Sequence, residues 1–316
     1  MAFSRSSMSK TLAQLALCVA CCFEQVAAQA GPNTIAEYNP NKMTMSFNGT
    51  FIAIPVNSTL VASAVSYPLI PLPTTPTPDF PNGWPAGTHP VLVSGGYGGS
   101  IKVNGLFIPD FLLSGRLQVP CVDRLGDGST CFLENFGEYI GGDNGQLASG
   151  LVPAIVGSLQ GTTLYTGQFT PGDANLQSLG GGDYSLEVDQ LVLENPASGP
   201  GVAPLAFQFI IEKSASTAAP TLVSESGFHS FINQPGIGNN GLCIRSPQYF
   251  NETFARPFFA DATYVDLSQG SLFGGVPNTL AGHYTGVAYS ANSQQIVNNA
   301  ESCQSAADNT DPASLQ

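Results

Sequence analysis

The chain has 316 residues, with 22 Asp and Glu against 9 Lys and Arg, a formal charge of −13 that disfavours any partner built on a phosphate backbone. Only 10% of it is charged, while Gly and Pro number 35 and 24, so the chain is turn-rich with long weakly polar surfaces. That length is compatible with one domain, since all-β domains of roughly 200–250 residues are common.

The N-terminus predicts export. Arg5 and Lys10 form a basic region, Thr11 to Cys22 is a short apolar run, and Ala28-Gln29-Ala30 is a small-residue cleavage site. The apolar run is well short of the ~20 residues that a membrane-spanning helix needs. Residues 1–30 are therefore expected to leave as a signal peptide. The remaining 31–316 would form a single β-rich domain ending in a polar segment from about residue 290, free of the membrane. Without the leader, 7 basic residues face 21 acidic ones, a charge of −14. Sequons at Asn48, Asn57 and Asn251 fit a secreted, extracellular glycoprotein and mark those segments as exposed.

In chain order, Met43 to Phe47 and Phe51 to Ile54 alternate on either side of Asn48-Gly49, which predicts a hairpin. Pro68 to Pro85 is too proline-rich for a central strand or a helix and is expected to run extended over the surface. Ile101 to Val103, Asn104-Gly105 and Leu106 to Ile108 repeat the hairpin signal. Leu117 to Cys121 reads as a strand, with Arg116, Gln118 and Pro120 on one face and Leu117 and Val119 on the other. A helix is expected from Asp143 or Asn144 through Leu147, Leu151, Ile155 and Leu159, interrupted by Pro153. Tyr184 to Glu194 and Ala206 to Ile211 could pair across a Gly/Pro loop, and Thr263 to Leu267 is a late strand. Ala291 to Ala307, rich in Asn, Gln and Ser, is expected to be a loosely packed helix.

Four cysteines follow the leader, which in an oxidising compartment implies two disulfides. Cys121 and Cys131 flank a connection with Gly126-Asp127-Gly128 at its tip, and pairing across a hairpin is the least demanding choice. That leaves Cys243 with Cys303, fastening the C-terminal segment to the body. No C-x-x-C pair occurs among these four and only three His are present, so neither a metal nor another cofactor is expected.

The run Leu117-Gln118-Val119-Pro120-Cys121, followed by a turn and by Tyr139-Ile140 ahead of Asp143, resembles the acetoacetate decarboxylase family over about Val91 to Gln160. The resemblance implies a mainly β (α+β) fold, a barrel or cone of antiparallel sheets with few short helices around a pocket. It also implies what is missing. Where that family carries its Schiff-base lysine, this chain reads Leu151 to Ser158 after Gly150, with no amine, and the family's glutamate falls near Ser114. Imine-forming decarboxylation is therefore not expected; of the three lysines after the leader, Lys42, Lys102 and Lys213, the last two occupy ordinary solvent positions.

The remaining candidate catalytic groups are Arg116, Glu134, Glu138 and His229. Arg116 could bind a carboxylate or enolate if its face lines the pocket, or could pair with an acid on a neighbouring strand. Glu134 and Glu138 could divide acid and base roles, or simply serve as strand-edge acids. His229 is the best-placed general base, with a packed histidine as its rival; His89 and His283 are further histidines. Two functions follow. One is an enzyme, lyase- or isomerase-like, acting on a small carbonyl or polyketide-like metabolite of secondary metabolism. The other is a non-catalytic glycoprotein that holds a small apolar ligand or serves as structure alone.

Overall fold

The computed structural model describes residues 31–108, 111–141, 164–192, 201–212, 221–250, 255–268 and 276–315. The strands are β1 (Met43–Asn57), β2 (Thr88–Val103), β3 (Leu106–Phe107), β4 (Leu112–Val122), β5 (Phe132–Gly141), β6 (Leu164–Thr170) and β7 (Gln177–Gly180). They continue with β8 (Asp183–Val192), β9 (Gly201–Ile211), β10 (Gly236–Ile237), β11 (Cys243–Ile244), β12 (Gln248–Tyr249), β13 (Phe258–Leu267) and β14 (Gly282–Val297). Three short α-helices accompany them among the described residues: α1 (Ser58–Ala64), α2 (Glu225–Ile232) and α3 (Cys303–Asp308). None is long and apolar enough to cross a membrane.

Nine strands close into a ring in the order β1-β2-β4-β5-β6-β8-β9-β13-β14 and back to β1. Neighbours are antiparallel except β5 and β6, which pair in parallel through Glu138 to Ile140. Closure removes exposed strand edges, the usual liability of a sheet. Inside the ring, every strand contributes apolar side chains, among them Ile52, Val93, Leu117, Tyr139, Phe169, Val188, Phe207, Val265 and Ala288.

A second core lies on the outer wall. Met45, Phe47, Phe51, Leu92, Ile140 and Tyr289 face away from the ring and are covered by Phe228, Phe231 and Ile232 of α2 and by Phe80 and Trp84. Those last two belong to the proline-rich stretch, which runs without regular structure as expected but is pinned by its aromatics. Phe231 lies 5.6 Å from Phe80 and 6.2 Å from Trp84, ring centre to ring centre.

Three expectations are corrected. Asn48-Gly49 is no turn: β1 is one strand of 15 residues. Gly49 is there for clearance, since a Cβ would come within 2.5 Å of the Phe47 ring and 2.9 Å of Phe51. Asn48 is consequently not exposed. Its side chain is buried in the wall and accepts a hydrogen bond from Asn175 at 3.1 Å, which leaves no room for a glycan. The third correction concerns Ala291 to Ala307, where β14 runs on to Val297 and only Cys303–Asp308 is helical. Two of its serines are paired across strands: Ser290 bonds Thr50 at 2.9 Å and Ser293 donates to Gln248 at 2.9 Å.

Other expectations hold. Asn104 and Gly105 take positive φ (50° and 77°) in the tight β2–β3 hairpin, as an Asn-Gly turn between twisted strands requires. β8 pairs with β9, and Thr263 to Leu267 lies in β13. Asn57 is exposed and caps α1 by accepting from the Thr59 amide. The helix expected from Asp143, together with Lys213 and Asn251, lies outside the described residues.

Both disulfides are in place, Cys121–Cys131 and Cys243–Cys303, with Cα atoms 4.0 and 4.8 Å apart. They close loops of 10 and 60 residues. Loop-closure entropy gives about 3 and about 4 kcal/mol respectively. Replacing both members of the longer bridge by Ala should lower unfolding free energy more than the same change at the shorter one, measured by denaturant titration of each double variant.

Candidate functional site

The face of β4 that carries Ser114, Arg116 and Gln118 points outward, away from Leu117 and Val119 in the barrel interior. On β5, Glu138 stands opposite Arg116, and an extra residue at Phe136 breaks the register so that Asn135 stands opposite Gln118. These four side chains floor a cleft. Its other wall is the segment after α2: Gln234, β10, which pairs in parallel with β5, and β11. Phe47, Phe51, Leu92 and Ile232 line it with apolar surface, with Asn239, Ser246 and the buried Gln248 also in the lining; the cavity volume is about 90 Å³.

Among the described residues, Arg116 and Glu138 are the only ionisable ones that line the cleft, and they are bonded to each other. Arg116 Nη2 donates to Glu138 Oε1 at 2.6 Å, with the side chains 24% and 12% exposed. Ser114 Oγ donates to the same oxygen at 3.2 Å. Arg116 Nε is buried without a partner. Of the two alternatives open in the sequence, the structure shows the internal ion pair, and it sits on the outer wall, not in an apolar pocket enclosed by the sheets.

The other candidates are elsewhere. Glu134 stands opposite Val119, on the opposite face of β5 from Glu138, and accepts from Ser66 through its amide (2.9 Å) and hydroxyl (2.7 Å). The two carboxylates therefore do not form an acid–base pair. His229 is buried on α2 and does not line the cleft. Its ring stacks on Phe250, 4.3 Å between centres and 3° between planes, and Nε2 lies 3.0 Å from the Tyr289 hydroxyl. Tyr289 donates in turn to Glu225 at 3.3 Å. Burial, reinforced by the Glu225 charge, pushes the Tyr289 pKa far up, so it remains a phenol. With that proton directed at Glu225, His229 Nε2 is the donor to Tyr289, and the chain of bonds packs the outer core.

His89 is buried in β2 and its Nε2 donates to the Pro120 carbonyl at 2.8 Å. His283 is exposed beside Asp266 at 3.4 Å. Neither Lys42 nor Lys102 is buried, and neither lines the cleft. Among the described residues no group of three His, Cys, Asp or Glu could hold a metal. The residues that sequence reasoning missed are Asn135 and the whole 232–248 wall. Alternation along β4 gave Arg116 and Gln118, but the β5 irregularity and the two-residue strands leave no periodic signal.

No family model and no curated protein matches the chain. Its solved structural neighbours include the enduracididine biosynthesis enzyme MppR complexed with pyruvate, at 10% identity and a TM-score of 0.48, covering 84% of this chain and 91% of that one. Another is acetoacetate decarboxylase, at 10% identity and 0.47, covering 87% and 90%. A third is an acetoacetate decarboxylase-like enzyme from Sphingomonas wittichii RW1, at 9% identity and 0.37, covering 83% and 92%. The last two bear the name of the family that the Leu117–Cys121 strand resembles. At these identities and scores no residue role passes from them to this chain.

Two outcomes are expected from the site's electrostatics. Arg116→Ala should destabilise by about 1–3 kcal/mol, because it strands a mostly desolvated carboxylate. An Arg116→Met/Glu138→Leu double variant should recover much of that loss, so a denaturant double-mutant cycle measures a coupling clearly above zero. Burial holds the His89 pKa below its ordinary 6.5, against a smaller opposing effect of the Pro120 carbonyl. The folded state thus keeps His89 neutral while the unfolded state takes up a proton. Stability from this source is complete above about pH 6.5 and declines as the pH falls below it. Unfolding free energies between pH 7.5 and 5.5 should slope accordingly, and His89→Gln should flatten the slope.

Proposed function

We propose that this chain is an extracellular glycoprotein that binds a small molecule in the β4–β5 cleft without transforming it. Export rests on the leader-like residues 1–30, on two disulfides and on the exposed sequon at Asn57. The observation that carries the binding reading is that the cleft's two ionisable groups neutralise each other at 2.6 Å. General acid–base catalysis needs a group free to give or take a proton beside the substrate. Here Glu138 is held by Arg116 and Ser114, Glu134 faces the other way, and His229 bonds Tyr289 outside the cleft. The enzymatic alternative, polarisation of a small carbonyl compound by Arg116, would require a substrate to displace Glu138.

A ligand panel of polyols, diketones and small carboxylates decides between them. Thermal-shift and ligand-observed NMR measurements on the secreted protein should find at least one binder, and Ser246→Trp, which fills the cleft, should abolish its binding. Acetoacetate with borohydride should leave the protein mass unchanged. Turnover of a carbonyl compound, or ligand binding indifferent to Ser246→Trp, would overturn the proposal.

A further inference from the structure

Resting on that binding reading, we infer that the ligand of the cleft is an uncharged polyhydroxylated ring, a monosaccharide or cyclic polyol, and not a keto acid or diketone. The first reason is charge. Arg116 already has its counter-ion in Glu138, so an entering carboxylate would meet a like charge beside the guanidinium and would have to break a 2.6 Å bond.

The second reason is the balance of donors and acceptors. Two cross-strand pairs, Arg116 with Glu138 and Gln118 with Asn135, form a two-by-two array. Its members are spaced about 5 Å across the strands and about 7 Å along them. Glu138 spends Oε1 on Arg116 and Ser114 and keeps Oε2 as an acceptor. Asn135 spends Oδ1 on the Gly137 amide at 3.2 Å and keeps its NH2 as a donor. Gln118 makes no side-chain hydrogen bond among the described residues and offers both functions. The floor thus presents donors and acceptors side by side. A hydroxyl group answers both, whereas a carbonyl only accepts and would leave Glu138 Oε2 and Gln118 Oε1 desolvated without a donor.

The third reason is shape. The array ends against Phe51 and Leu92, which suit the C–H face of a ring, and about 90 Å³ is the liquid share of roughly three waters at ~30 Å³ each. That admits one edge of a single ring from the open side and not a longer chain.

Saturation-transfer NMR with glucose, galactose, mannose, xylose and myo-inositol, against pyruvate, acetoacetate and acetylacetone, tests the assignment. At least one neutral polyol should bind saturably, and Gln118→Leu should weaken it about tenfold. Glu138→Gln, which leaves Arg116 uncompensated, should lose polyol affinity and gain pyruvate binding. Circular dichroism establishes that each variant is folded; if Glu138→Gln is not, Asn135→Leu replaces it and should weaken polyol binding. If carboxylates or acetylacetone bind in the cleft of the unmodified protein and polyols do not, this inference fails while the binding function stands. If no compound of any class binds, or if Ser246→Trp leaves binding intact, the binding function fails and the inference with it.

Discussion

Everything in this molecule depends on β1 pairing along both of its edges, with β2 on one side and β14 on the other. The register with β14 runs unbroken from Met43–Val297 to Ala53–Val287 and joins the first strand of the domain to the last. Without it the ring is an open sheet with two bare edges. With it, each strand acquires an interior face and an outer face. On β1 both are buried, the first by the apolar filling of the ring and the second by α2 and the proline-rich stretch.

That double burial explains how much of the fold could be read in advance. The Asn104-Gly105 hairpin was legible because an Asn-Gly turn imposes its own geometry, and the disulfides because four cysteines offered one undemanding pairing. Asn48-Gly49 misled because the same dipeptide serves a different need in a strand buried on both sides, where glycine gives clearance to two phenyl rings. The polar end of β14 misled for a related reason. Ser290 and Ser293 look like surface residues, yet each finds its partner across the sheet, so polarity reported hydrogen bonding and not solvent.

The cleft was half legible. Strict alternation placed Arg116 beside Gln118 on one face of β4, with Glu134 or Glu138 on the neighbouring strand left open as a competing partner. Glu134 and Glu138, four residues apart, would share one face of an unbroken strand. One additional residue between them reverses the parity, sending Glu134 to Ser66 and leaving Glu138 to Arg116. A candidate pair of catalytic acids is thereby separated by a single irregularity, and a candidate anion site becomes a neutral one.

The wall facing β4 and β5 is made of very short strands, yet it is tied down at several points. β10 is hydrogen-bonded to β5, Gln234 accepts from the Cys121 amide at 2.8 Å, and Cys243 is covalently joined to Cys303 on α3. A loop of this kind, left free, would have to be immobilised by whatever entered the cleft, and that entropy would be subtracted from affinity. Here the immobilisation is complete once the protein has folded and oxidised, so even a weakly polar visitor meets a surface already in its final shape. Selectivity then lies in the fixed positions of a few amides, and little of it depends on movement.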